Sequence, residues 1–437
     1  MQIAKHICGK GMTFSACLWL GLFPLLQGGT YAHLTHDKWI IMLILTGITI
    51  LSFVMDLFFQ GRRQDKQLSI PSRDLLPLIL SVVLFLWIVL SCLLSSYEPY
   101  TWLLGTATRY EGLVSQFCYL VIFVCFFFSR VRLKPVLISA AAGVCVFCII
   151  VLLQRAGGNP LGLYPGGRSY AQNPEFQGTI GNIDMGTGYL LLLAGFFLNA
   201  LLPIRKGVKS RGLLLTIFLF VALLIDLYLI LTMEVQFGVI SLAVLLLFTF
   251  IRFLPEKYRL LLLVLLIVFV LLAVWFWPGY GGGIWELHEI LHGRMRLSFG
   301  SNRVAVWHYS LLLARENLLI GGGSGTFRSR FNRFLLESGF SIPSEQDGRA
   351  LPDYFDTPHN EYIAMLTNHG LPALVMFIAL LFMSVYRRRE HWLPALTPCS
   401  SSVLCYAVQA FFSFSVCIVA PMFWVILALS YSPDSGY

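Results

Sequence analysis

The chain has 437 residues, 57% of them hydrophobic and 12% charged, with a formal net charge of +9. A soluble domain of this length usually carries about 25% charged residues, so the composition excludes an ordinary soluble fold and points to a bilayer. The basic excess lies largely in loops between apolar runs, which argues against nucleic acid as the partner.

Apolar runs of roughly 20 residues are the length a membrane-crossing helix needs. In chain order they predict an all-α polytopic membrane protein of about twelve transmembrane helices, forming one integral membrane domain over 1–437. The spans fall near 11–29, 39–59, 75–95, 113–129, 135–154, 185–203, 212–231, 236–251, 258–277, 361–386, 394–412 and 414–431. The first run lacks a small-residue cleavage site and reads as a retained helix, not a signal peptide. With the N-terminus in the cytosol, nineteen Lys and Arg residues fall in inner segments, against Lys38, Arg109, Arg155 and Arg168 in short outer loops. That asymmetry predicts cytoplasmic termini. The cysteines scatter through apolar runs and inner segments, with neither zinc-like spacing nor a disulfide framework.

Residues 278–358, between the ninth and tenth spans, form a large loop expected to be extracytoplasmic. Its eight basic residues are all Arg: Arg294, Arg296, Arg303, Arg315, Arg328, Arg330, Arg333 and Arg349. A planar guanidinium matches phosphate in a bidentate way and stays charged. The competing reading is that these residues only solvate a surface loop or touch lipid headgroups. Within the loop, 302–320 reads as an amphipathic helix through Val304, Trp307, Leu311, Leu312 and Leu318. The run Gly321-Gly322-Gly323-Ser324-Gly325 stops it, and a second short helix is expected over 326–337. The polar stretch 338–357 leads to Pro358, expected as the first residue of the tenth helix with Thr357 as its cap. His369 falls about 15 Å into that helix, where Gly370 and Pro372 could open it. Asp226, in the seventh span, could pair with an outer Arg.

Three blocks of this loop resemble the O-antigen ligase and polysaccharide polymerase family. Gly300-Ser301-Asn302-Arg303-Val304-Ala305-Val306-Trp307 is similar to the family's G-S-x-R-x-x-x-W. Leu319-Ile320-Gly321-Gly322-Gly323-Ser324-Gly325-Thr326-Phe327 is similar to its glycine-rich block, with Asn317-Leu318 where Pro is often found. Pro358-His359-Asn360-Glu361-Tyr362, followed by Asn368-His369-Gly370-Leu371-Pro372, resembles its H-N-x-[YF]-L and the glycine beyond it. Arg109-Tyr110-Glu111-Gly112 and Gly178-Thr179-Ile180-Gly181-Asn182 resemble two further blocks. Many members carry Ser-Arg where the seventh and eighth spans meet. This chain reads Thr232-Met233-Glu234-Val235-Gln236-Phe237-Gly238 there, without Arg, which puts the donor contacts in question.

The resemblance implies a GT-C-like fold in a bacterial inner membrane and a glycosyltransferase acting outside the cytosol. Its donor would be a glycan on undecaprenyl pyrophosphate, and its acceptor a hydroxyl of a glycan, lipid or protein. His359 would be the base, since an unperturbed imidazole titrates near neutrality, and Arg303 would hold the leaving diphosphate. Arg109, Glu111, Asn182, Arg328, Asn360 and Tyr362 are the candidate substrate-binding residues. The resemblance implies no cofactor and an inverting, metal-independent transfer, and the loop has no clear metal-ligand spacing. His359 could instead cap the tenth helix or bond a loop carbonyl, and His308 and Trp307 read as structural. The sequence leaves polymerase and ligase open. The alternative class is a secondary transporter or lipid-linked glycan flippase, disfavoured by few intramembrane charges and no internal repeat. A third reading is a degenerate member acting only in assembly.

Overall fold

The computed structural model describes residues 9–61, 75–202, 212–251, 253–340, 342, 355–386 and 397–431. Helix α1 (Lys10–Cys17) continues through a π turn (Leu18–Leu22) and a 3-10 turn (Phe23–Leu25). Then come α2 (Leu34–Gly61), α3 (Leu76–Leu93), α4 (Pro99–Leu104), α5 (Leu113–Phe127) and α6 (Leu133–Arg155). A two-residue hairpin, β1 (Phe176–Gln177) and β2 (Gly181–Asn182), pairs antiparallel before α7 (Ile183–Leu201). The chain continues with α8 (Leu213–Thr232), α9 (Gln236–Ile251) and α10 (Glu256–Trp275). The large loop carries α11 (Gly282–Leu291), α12 (Arg303–Glu316) and α13 (Phe327–Ser338), and α14 (Glu361–Val385), α15 (Pro398–Gln409) and α16 (Ala420–Ser430) end the bundle.

This is a helical membrane protein. Each of the twelve expected spans meets a helix; among the described residues, seven helices are both long and apolar enough to cross a bilayer, and three shorter apolar helices accompany them. Where one last pair of spans was expected, α15 and α16 are short and separated by the irregular stretch 410–419. The second span begins earlier than expected. Lys38, counted above among outer-loop residues, therefore lies inside α2 and is fully buried. Its ammonium donates to the carbonyls of Phe23 and Pro24, both at 2.8 Å, and so satisfies the acceptors left where the first span unwinds. Asp56 does the reciprocal work at the other end of α1, accepting from the amides of Gly11 and Met12.

Helix α7 is the most buried of the long spans. It packs tightly on α15 because Gly195 lets the backbone at Ser401 and Ser402 come close; a Cβ there would sit 2.7 Å from Ser402 N. Gly143 of α6 meets the backbone of Gly21 in the same way. Such contacts are the usual currency of helix association where lipid removes the hydrophobic drive. Helix α10 has no buried residue among those described and contacts α11. In the loop, α12 and α13 form a small core of their own from Ala305, Val306, Tyr309, Leu313, Phe327, Phe331 and Leu335.

Candidate active site

Two features of α14 organise the site. The helix begins at Glu361, not at Pro358 as expected, because His359 adopts a left-handed backbone (φ 51°) that no helix tolerates. Asn360 is the cap in place of Thr357: its side chain accepts from the amide of Ile363 at 3.0 Å, while the Pro358 carbonyl accepts from Trp307 Nε1. The helix then breaks at Gly370 (φ 79°), as its Gly and Pro suggested. A Cβ at Gly370 would lie 1.9 Å from the Leu319 carbonyl oxygen. The glycine run after α12 thus lies against the break, where the amides of Gly322 and Gly323 donate to the carbonyls of Thr367 and Asn368. From α3, Ser91 and Trp87 donate to the carbonyls of Asn368 and His369. From α13, Arg330 donates to the Thr367 carbonyl and to Asn368 Oδ1. Burial lowers the Arg330 guanidinium to about 10, against Tyr97 and Glu316, which oppose the shift.

His359 projects into a partly buried setting between Phe355 and Phe414, with ring centroids 6.1 and 5.0 Å away. Burial, then the charges of Arg109 and Arg303, hold its imidazole down at about 4, with only Asp356 opposing them. The ring is therefore neutral at pH 7, and its Nδ1 is buried with no hydrogen-bond partner among the described residues. Arg303 and Arg109 differ in availability. Arg109 is clamped by Asp356 through two 2.8 Å bonds and lies 3.9 Å over the Phe414 ring. Burial would raise the Asp356 carboxyl, but Arg109 and Thr108 pull it below its ordinary value. Arg303 only approaches Asp184, at 3.7 Å, and lies near the Phe237 ring. Its guanidinium fork is largely uncommitted. Asn302 Oδ1 and Gln409 Oε1 are likewise buried without a partner among the described residues. Gln409 donates to the backbone of Asp184, Arg303's partner, so Gln409, Asp184 and Arg303 form one polar group beside α7.

The structure brings His359, Arg303 and Arg109 together. Glu111 lies beyond Arg109, accepting from Tyr119 at 2.6 Å and from Gln116, and burial pushes its carboxyl up to about 8. Asn182 caps α7 through the amide of Asp184, Asn360 caps α14, and Tyr362 donates to the Ala407 carbonyl. These three act by holding the helices that carry the charged groups. Arg328 lies on the exposed side of α13, whereas Arg330 of the same helix reaches α14. Asp226 is fully buried in α8, with neither carboxyl oxygen hydrogen-bonded among the described residues, so no outer Arg pairs with it. The segment without its own Arg is reached by another: Arg155 donates to the hydroxyl and carbonyl of Thr232. Asp184 and Asp356 were not singled out from sequence. Their only signal was position, Asp184 two residues past the Gly178–Asn182 block and Asp356 three before His359. Among the described residues, no group of three or more His, Cys, Asp and Glu could hold a metal ion.

Comparison with protein families matches residues 218–378 to the family described as O-Antigen ligase. That stretch runs from within α8 to within α14 and includes Arg303, the glycine run, His359 and Gly370. Comparison with curated proteins finds no match.

Proposed function

We propose, from the premise that residues 218–378 carry the O-antigen ligase family's domain, that the protein transfers a glycan from a lipid diphosphate carrier to an acceptor hydroxyl. The donor would be undecaprenyl pyrophosphate-linked, and the transfer would occur on the face of a bacterial inner membrane opposite the cytosol. The observation that carries this reading is the pairing of a neutral, unpartnered imidazole at His359 with the loosely held guanidinium of Arg303.

In the reaction, the acceptor oxygen attacks the anomeric carbon as its proton passes to the His359 ring. The bond from that carbon to the diphosphate oxygen breaks, and its electron pair leaves with the diphosphate. Arg303 receives the developing charge through charge-assisted hydrogen bonds. A ring held at about 4 is ready to accept a proton but is a weak base. Diphosphate bound to Arg303 would offset one of the charges that depress it, so donor binding would strengthen the base. Arg109 would hold its ground through Asp356 and position the segment that ends in His359.

A transporter reading gains nothing from the broken helix. Unwound backbone at a transport site leaves groups free for cargo, whereas the carbonyls of Thr367, Asn368 and His369 are already taken by α3, α13 and the glycine run. The test is transfer by purified protein from a lipid-linked repeat unit. His359→Ala and Arg303→Ala should each keep the folded protein and abolish product; wild-type turnover in either would remove that residue's role. A product ladder would mark a polymerase, and a single addition to a supplied acceptor a ligase.

A further inference from the structure

Against the Arg109–Asp356 pair lies a polar space whose lining does not include His359. It is enclosed by α5, α14, α16 and the loop after α4, and Arg109, Asp356 and Pro358 form part of its wall. Its volume is about 100 Å³. Ligand pockets that take whole small molecules run from about 300 Å³ upward, so this one admits a protruding substituent, not a sugar ring. Apolar sides come from Met365, Phe377 and Trp424.

Its polar lining includes the hydroxyl and amide residues Thr106, Gln116, Thr357, Asn368 and Ser415, and two carboxyl groups besides that of Asp356. Glu111 and Glu361 both line the cavity and act on each other as like charges. Each is oriented by a tyrosine: Tyr119 donates to Glu111 at 2.6 Å and Tyr406 to Glu361 at 2.7 Å. Among the described residues the Arg in the lining is Arg109, whose Nε and Nη2 are both bonded to Asp356. The space therefore holds two buried carboxyl groups with no salt-bridge partner among the described residues, and the charged form of either is costly in an apolar surround until a cation joins it. A separate observation points to an occupant. His369 lines the same cavity, is 4% exposed, and has its Nδ1 buried without a hydrogen-bond partner among the described residues.

We infer that this cavity is a subsite for the primary ammonium group of an amino sugar in the acceptor glycan. An ammonium offers three donors and a positive charge, which match Glu111, Glu361 and the unpartnered Nδ1 of His369. N-acetylation would remove the charge and two of the donors and add bulk that the volume does not admit. The chain itself links the subsite to the chemistry, because Thr357 and Pro358 line the cavity and the next residue is His359. The inference rests on the glycan-transfer reading, and it adds what the acceptor must carry.

The test uses the full chain in lipid nanodiscs, titrated with methyl glucosaminide, methyl N-acetylglucosaminide and methyl glucoside, with binding followed by saturation-transfer NMR. The free amine should bind at least about tenfold more tightly than the other two. Glu111→Gln, which removes the ionisable carboxyl at near-constant shape, should abolish that preference. Ala364→Leu, which fills the cavity from α14, should abolish binding, with thermal melting confirming that both variants fold. Equal binding of the three glycosides, no binding, or unchanged selectivity in both variants would overturn the subsite. His359→Ala should keep amine selectivity while losing transfer. Selective binding in a protein that transfers nothing would overturn the proposed reaction and leave the subsite standing. Transfer without amine selectivity would do the reverse.

Discussion

The titration of His359 offers the sharpest test of the chemistry. An ordinary imidazole titrates near 6.5 and this one at about 4, a preference for the neutral ring of about 3 kcal/mol at about 1.4 kcal/mol per pH unit. Burial is the largest cause, Arg109 the next and Arg303 the third. Arg303 therefore accounts for under a third of the downward push, and Arg303→Gln should raise the ring by no more than about one pH unit. The assay is the pH dependence of kcat/KM for glycan transfer, whose acid limb reports the free enzyme. In the wild type that limb should lie near 4, well below 6.5; in the variant, slower overall, it should move up. The same shift bears on stability. Between about 6.5 and 4 the unfolded chain takes up a proton that the native ring refuses, so stability falls as pH falls through this window. His359→Gln should flatten that part of the curve. A wild-type limb near 6.5, or one that stays put when Arg303 is neutralised, would refute the assignment of His359 as a base tuned by these charges.

Four further substitutions test the scaffold. Asn360→Ala removes the cap of α14 and should cost about 1 kcal/mol, read as a lower melting temperature in detergent, with no loss if the cap is idle. Gly370→Ala forces a Cβ against the Leu319 carbonyl at a positive φ; it should prevent recovery of a monodisperse protein by size exclusion, whereas Gly47→Ala, with open space around it, should not. Arg330→Gln leaves the Thr367 carbonyl and Asn368 short of a charged donor and should destabilise by about 2 kcal/mol in denaturant titration. Lys38→Met keeps the volume but removes the charged donor to the Phe23 and Pro24 carbonyls, which keep the Leu26 amide and the Thr179 hydroxyl, at a smaller cost of about 1 kcal/mol by the same measurement.

Much of the scaffold was legible because long apolar runs have few alternatives to helix in lipid. What escaped was where those runs begin and end. Lys38 looked like a loop residue because charge is expensive inside a bilayer. The unwound end of the first span supplies the two carbonyls that make its burial tolerable, and no local pattern announces that. At the site, the motif residues His359, Arg109 and Arg303 did come together, but Asp356 and Asp184, the partners of the two Arg residues, belong to no periodic pattern, and the Arg303–Asp184 approach across 119 residues of chain is a product of tertiary packing. The choice between Arg328 and Arg330 was in principle readable. Yet it pointed the other way: Phe327, Phe331 and Leu335 mark the buried face of α13, and residue 328 lies nearer that stripe than 330 does, so only the tertiary contact with α14 singles out Arg330. Asn182, Asn360 and Tyr362 carried motif signals that the fold spends on capping and anchoring helices.

The lock between the glycine run and the break in α14 has a consequence for recombining such proteins. Residues 317–326 and 367–371 are complementary halves of one joint, with Gly322, Gly323 and Leu371 all bonded across it. A chimera that takes the large loop from one parent and α14 from another would cut this joint, and a crossover placed near Pro358 would be tolerated poorly however well the loop itself folds. Exchange should succeed where both halves travel together, with the crossover placed beyond residue 371. Ser91 and Trp87 of α3 can then stay with the recipient, because the groups they bond are backbone carbonyls that every sequence provides.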